Sequence, residues 1–136
     1  MTIVPRTLAA LALAALIAGC TESIGPAEVA GTYELATVRG VPVPTPGAAS
    51  ILGGTVTLTT FGSVERRMRY RDSAGGAERV DAASGTFHRE GQVLHLALNY
   101  GGYVWSPSAA IVGSALTIQY PNPADGPDIV ELYHRR

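Results

Sequence analysis

The sequence after residue 30 predicts an all-β domain, folded as an antiparallel barrel or sandwich. No window there keeps a helical period of apolar residues, and short runs rich in β-branched and aliphatic residues alternate with Gly, Pro, Asn and Asp clusters. Prolines at positions 42, 44 and 46 predict an extended loop over residues 41–47. The predicted strands are 32–38, 53–60, 64–72, 78–82, 85–89, 92–99, 103–112, 114–120 and 128–135, of which one or two are expected to be fused or irregular.

A turn at Glu90-Gly91 is predicted to join strands 85–89 and 92–99. A two-residue loop there pairs Phe87 with Leu94 and Thr86 with His95. Because opposite residues share a face of the sheet, the hairpin has one apolar and one polar face. The inward face is predicted to hold Phe87, Leu94, Leu96 and Leu98, and the outward face Thr86, His88, Val93, His95, Ala97 and Asn99.

A second hairpin is predicted around Phe61-Gly62-Ser63, with Leu58 opposite Arg66 and Val56 opposite Met68. Arg66 is the exception on its apolar inward face. The other inward residues are Val56, Leu58, Val64, Met68 and Tyr70, while Glu65, Arg67, Arg69 and Arg71 are predicted to face water. This arginine-rich strand is interpreted as a solvated face, with binding of an anionic partner as the alternative.

The third predicted hairpin turns at Gly113-Ser114. It places Ile111 opposite Leu116 and Ala109 opposite Ile118, which again builds one apolar face. A slip of one residue in any of these hairpins would exchange its two faces.

The N-terminus is typical of an export signal. One arginine in residues 1–6 precedes an unbroken apolar and small-residue run over 7–18, which is too short to span a hydrocarbon core comfortably. The run ends in Ile17-Ala18-Gly19-Cys20, which resembles the bacterial lipobox. That resemblance implies a signal peptide over 1–19, expected as a helix, and acylation of Cys20 with palmitate or similar chains. An ordinary signal peptide with a chance cysteine is the alternative.

Cys20 is the single cysteine, so no disulfide can form within the chain. Residues 20–30 are then the lipidated cysteine and a tether, and 31–136 the folded domain. Several acyl chains anchor a protein stably to a membrane. Thr21 stands where an aspartate would suggest inner-membrane retention, so the expected location is the cell envelope, and the outer membrane in a Gram-negative organism.

The domain resembles the small bacterial lipocalin-like domains found on lipoproteins. Four segments carry the resemblance, and it implies an up-and-down β-barrel of about eight strands, either filled by side chains or holding one small ligand. The last segment, Val130–Arg136, would pair with the first strand. They are Gly31–Leu35 with Val38–Gly40 and Val43-Pro44, Gly54–Leu58, Gly85–Phe87 with Leu94–Leu96, and Val130–Arg136.

Composition and motifs exclude several function classes. The formal net charge of −1 does not provide the strongly basic face that nucleic-acid binding needs. No serine lies in a Gly-x-Ser-x-Gly elbow, and no glycine-rich phosphate loop precedes a helix. The chain is therefore predicted to be no enzyme, to need no cofactor and to be a monomer.

The expected binding site lies inside the barrel. An inward Arg66 could hold a ligand carboxylate, extend to the rim, or pair with a buried acid. The aromatic residues around Gly101-Gly102 could line the barrel mouth or plug it. The ligand-lining residues are predicted to be Arg66, Met68, Tyr70, Tyr103 and Trp105.

The three histidines predict no metal site. His88 and His95 share an outward face, but the predicted register places them diagonally, and His134 is on the last strand. The sequence therefore favours a lipid-anchored envelope protein whose barrel binds a small apolar or amphipathic ligand. The alternative is a filled barrel that acts through its surface as a structural or inhibitor-like module.

Overall fold

The computed structural model describes residues 25–136, so the predicted signal peptide and Cys20 lie outside the described residues. Within this range no helix is long and apolar enough to cross a membrane. One helical turn precedes ten strands. These elements are α1 (Pro26–Val29), β1 (Gly31–Val38), β2 (Val41–Pro42), β3 (Ser50–Leu58), β4 (Ser63–Arg71), β5 (Glu78–Glu90), β6 (Val93–Tyr100), β7 (Tyr103–Trp105), β8 (Ser108–Val112), β9 (Ala115–Tyr120) and β10 (Ile129–Arg135).

Eight of the strands form a closed antiparallel barrel in the order β1, β3, β4, β5, β6, β8, β9 and β10. Pairing of β10 with β1 closes the barrel, as the sequence predicted for its last segment. The short strands β2 and β7 add to β1 and β6 respectively. The predicted fold class is confirmed, and the barrel is consistent with a lipocalin-like fold.

Two strands that the sequence predicts separately form one strand in the structure, and one predicted strand is divided into two. The segments 78–82 and 85–89 form the continuous 13-residue strand β5, which passes through Gly85. The segment predicted as 103–112 is interrupted at Ser106-Pro107, where Pro107 cannot donate a ladder hydrogen bond. Both differences arise inside the barrel wall and leave its strand order unchanged.

The predicted inward residues of all three hairpins are buried, except Tyr70, which is half-buried, but two registers differ from the prediction. The hairpin at Gly113-Ser114 has the predicted pairs. In the β3–β4 hairpin Leu58 lies opposite Val64 and Val56 opposite Arg66, a shift of two residues. A shift of two keeps every side chain on its face because the period of a strand is two.

The β5–β6 hairpin also differs by two residues. Its loop is Gly91-Gln92 rather than Glu90-Gly91, with Gly91 at φ +60° in the left-handed region that favours glycine. His88 therefore lies directly opposite His95. The predicted diagonal arrangement of these two histidines is wrong.

The two ends of the barrel differ. The closed end carries α1, whose Val29 lies in the hydrophobic core and accepts a hydrogen bond from the Tyr33 hydroxyl through its carbonyl oxygen at 2.7 Å. The Arg135 guanidinium also donates to the Ala30 carbonyl there. These contacts place residues 28–30, predicted as part of the tether, against the barrel. The open end is formed by the segment 39–49, which contains β2, and by the connections 72–77, 101–102 and 121–128.

Candidate functional site

A buried ion pair crosses the barrel interior from β4 to β10. The Arg66 Nη2 atom donates to Glu131 Oε1 at 2.5 Å, and the two residues are 7% and 1% exposed. The sequence left three roles open for Arg66, and the structure shows one of them, which is pairing with a buried acid. The remaining oxygen and nitrogen atoms of such a pair need further hydrogen bonds to offset the loss of water.

Three tyrosines from three strands surround the pair. Tyr120 donates to Glu131 Oε1 at 2.8 Å, and Tyr133 donates to Glu131 Oε2 at 2.7 Å. Arg66 Nη1 donates to the Tyr100 hydroxyl oxygen at 2.9 Å. Both carboxylate oxygens and two guanidinium nitrogens are thus hydrogen-bonded within the barrel. This set of five residues is termed the interior network below.

Trp105 covers one side of the interior network. The Arg66 guanidinium carbon lies 5.2 Å from the centre of its ring, within the range of a cation–π interaction. Its ring also meets Tyr120 edge-on at 5.0 Å and Tyr100 at 6.0 Å between centroids. Trp105 therefore packs as part of the plug of the barrel interior, one of the two alternatives for the aromatic cluster.

Three residues of the interior network have shifted pKa values: Arg66, Tyr120 and Tyr133. Burial raises the pKa of Tyr133 and of Tyr120 above the ordinary value of 10.0, and the adjacent Glu131 carboxylate raises it further. Burial alone would lower the pKa of the Arg66 guanidinium, but its interactions with Tyr133 and with the Glu131 carboxylate outweigh burial and raise that pKa. At neutral pH Tyr120 and Tyr133 are therefore neutral hydroxyl groups that donate to the carboxylate of Glu131.

A loss of stability above pH 10 is expected from these two tyrosines. In the unfolded chain they ionise near pH 10, whereas their raised pKa keeps them neutral in the folded barrel. Unfolding then releases protons, so stability is full below pH 10 and falls above it, by roughly 1 kcal/mol or more per pH unit for each tyrosine. Urea midpoints between pH 8 and 11 measure this.

Tyr133→Phe removes one of the two titrating groups and is expected to flatten the alkaline fall in the urea midpoint. Tyr103→Phe, which removes an exposed tyrosine, provides the matched control and should keep the wild-type slope. Equal slopes in the wild type and Tyr133→Phe would contradict the assignment.

A cavity of about 570 Å³ opens above the interior network at the open end. Met68, Tyr70 and Tyr120 line it together with Ile51 and Ile129, and Tyr120 also belongs to the network below. The lining is mainly apolar, with charged side chains contributed by Arg39, Arg71 and Asp72. This open-end cavity can take a small apolar molecule with a polar group directed toward the rim.

The structure places the predicted ligand-lining residues in three different environments. Met68 and Tyr70 line the open-end cavity, whereas Arg66 and Trp105 lie below it among buried side chains. Tyr103 is 68% exposed on the short strand β7 and does not line the cavity. Glu131 holds the Arg66 guanidinium inside the barrel, so Arg66 does not extend to the rim.

The sequence reasoning missed Glu131, Tyr120 and Tyr133. A signal was present, because Glu131 and Tyr133 alternate with Val130 and Leu132 along one strand and must share a face. An inward Tyr133 would have placed Glu131 inside as well. Its partner Arg66 was already identified as an inward charge, so the pair could have been inferred.

Comparisons of the chain with protein-family models, with curated proteins and with solved structures found no significant match.

Proposed function

We propose that this protein is a lipid-anchored component of the bacterial cell envelope, with a lipocalin-like barrel that binds a small apolar or amphipathic ligand at its open end. The observation that carries the binding part is the mainly apolar open-end cavity of about 570 Å³. Its size is that of small-molecule sites in proteins. The protein acts by binding and has no catalytic role in this proposal.

The lipid anchor would fix the direction in which the cavity faces. Cys20 precedes Gly25 by five residues, which span at most about 18 Å when fully extended. Gly25 immediately precedes α1, which lies at the closed end. Acyl chains on Cys20 would hold that end near the bilayer surface, so the open end would face away from the membrane.

The interior network limits how deep a ligand can lie. Arg66, Glu131 and their tyrosines fill the barrel below the cavity, so a ligand would lie above Met68 and Tyr120. Charged side chains of Arg39, Arg71 and Asp72 would meet its polar end. The ligand class is therefore a short amphipathic molecule rather than a long chain threaded through the barrel.

The filled lower interior also favours the second candidate, a barrel that acts through its outer surface as a structural or inhibitor-like module. Buried aliphatic residues such as Leu58, Leu98 and Ile118 complete that filling. In this alternative the open-end cavity holds only solvent. The two candidates differ in whether a small molecule occupies the cavity in the native protein.

Mass spectrometry of the native protein extracted from membranes tests both parts. We expect a chain that begins at Cys20 and carries acyl chains, together with a stoichiometric small molecule released on denaturation. A chain that still begins at Met1 with unmodified Cys20 would overturn the anchor. Acylated protein without any bound molecule would favour the second candidate.

A matched pair of variants locates the bound molecule. Ile51→Trp places a large ring at a position that lines the cavity, and the co-purified molecule should be lost. Val104→Trp makes a similar change at an exposed position outside the cavity, and the molecule should be retained. Equal occupancy in the two variants would show that the molecule binds elsewhere.

A further inference from the structure

His88 and His95 face each other on the outer surface of the β5–β6 hairpin. Their imidazole rings are stacked, with centroids 4.4 Å apart and an interplanar angle of 12°. Glu90 follows two residues after His88 on the same strand, and its Oε2 atom lies 3.3 Å from His95 Nε2. One ligand atom from each residue falls within 4.8 Å of the others.

We propose that these three side chains bind a divalent transition-metal ion, with Zn²⁺ as the best-matched ion. Two imidazole nitrogens and one carboxylate oxygen form a donor set that zinc sites use, with the fourth position left to water or another ligand. Imidazole also suits Cu²⁺ and Ni²⁺, whereas Mg²⁺ and Ca²⁺ prefer all-oxygen sites. The mixed set therefore selects a transition metal.

The site forms when the two imidazole rings turn out of their stacked arrangement, because each ring nitrogen binds a metal ion in the plane of its own ring. Ligand atoms about 2.0–2.1 Å from a tetrahedral ion lie about 3.4 Å from each other, and the three donors already lie within 4.8 Å. All three residues are exposed, so their side chains are free to turn. The strand pairing fixes their backbone positions, since His88 opposes His95 and Glu90 opposes Val93.

The surroundings leave room for a fourth ligand. A shallow pocket of about 300 Å³ lies beside the two rings and is also lined by Thr86, Ser106 and Pro107. The nearest arginine on this strand, Arg89, directs its Nε atom to the Gly91 carbonyl oxygen at 2.5 Å. The Arg89 guanidinium therefore binds in the turn and not at the metal-binding atoms of the two histidines and Glu90.

Isothermal titration of the tag-free chain with Zn²⁺ and with Ni²⁺ tests the proposal. We expect one site per chain, and His88→Gln or His95→Gln should weaken it by more than about tenfold, because even loss of outer-shell partners costs 10- to 100-fold. Glu90→Gln should also weaken it. His134→Gln is the matched control, since His134 is an exposed histidine on β10, and it should bind as the wild type does.

Electron paramagnetic resonance with Cu²⁺ gives an independent readout of the ligands. The wild type should show coupling to two imidazole nitrogens, and each single histidine variant to one. The substituted side chains are exposed, so urea midpoints should show that every variant is folded. Absence of a stoichiometric site in the folded wild type would overturn the proposal, as would unchanged affinity in the His88→Gln/His95→Gln double variant.

Discussion

Replacement of Glu131 with alanine is expected to lower the free energy of unfolding by about 3–5 kcal/mol. The substitution leaves the Arg66 guanidinium charged inside the barrel, where that residue is 7% exposed. It also removes the acceptor of the hydrogen bonds that Tyr120 and Tyr133 donate. A buried charge without a partner is among the most destabilising changes that one substitution can make. Urea denaturation at pH 7 measures the loss.

Two further variants distinguish the effect of leaving a charge buried without a partner from the effect of losing an ion pair. Glu78→Ala breaks the exposed pair with Arg69, whose closest N–O distance is 2.6 Å, and should cost less than about 1 kcal/mol. The double variant Arg66→Met/Glu131→Gln removes both charges and keeps one of the two acceptor oxygens for the tyrosines, so it should recover most of the loss. Arg66 Nε has no hydrogen-bond partner among the described residues, so the native pair is not fully compensated. Equal losses in Glu131→Ala and Glu78→Ala would contradict the argument.

The faces of the strands could be predicted from the sequence because alternation of apolar residues reports directly which side is buried. A period of two and an assumed turn were enough to predict that Phe87, Leu94 and Leu96 point inward. Closure of the barrel by the last strand came from the resemblance, and pairing of β10 with β1 confirms it. The Gly113-Ser114 turn was predicted with the pairing that the structure shows.

The register of the other two hairpins could not be obtained in this way. Registers that differ by two residues bury the same side chains, so the hydrophobic pattern cannot distinguish them. Turn geometry decides instead, and Gly91 at the first loop position moves the β5–β6 turn by one residue. That difference brings His88 opposite His95, which is why the candidate metal site was missed.

Of the buried ion pair in the interior network, only Arg66 was identified from the sequence. Arg66 was recognised because a charge stood on an apolar face, but its partner Glu131 is 65 positions away along the chain. The pairing depends on barrel closure, which brings β10 across the interior from β4. Local sequence patterns can therefore identify a charged residue on a buried face, but they do not identify the distant residue with which it pairs.

The second large effect is expected at Gly85, in the middle of the long strand β5. A Cβ atom there would overlap the carbonyl oxygen of Ala97 and lie 2.8 Å from the carbonyl carbon of the same residue. Both atoms belong to the backbone of the neighbouring strand β6, which cannot move without disturbing its own pairs. Gly85→Ala should therefore lower the free energy of unfolding by about 3 kcal/mol or more, at or above the usual cost of overpacking.

Gly53→Ala is the matched control for this prediction, because Gly53 also lies in a barrel strand. A Cβ atom on Gly53 would meet only Arg69 Nη1, at an ordinary contact distance of 3.7 Å. This variant should differ from the wild type by less than about 1 kcal/mol, since alanine also restricts the unfolded chain. A similar small loss in both variants would show that β6 can yield at Ala97. A large loss in Gly85→Ala alone would show that the close approach of β5 and β6 requires a residue without a side chain at this position.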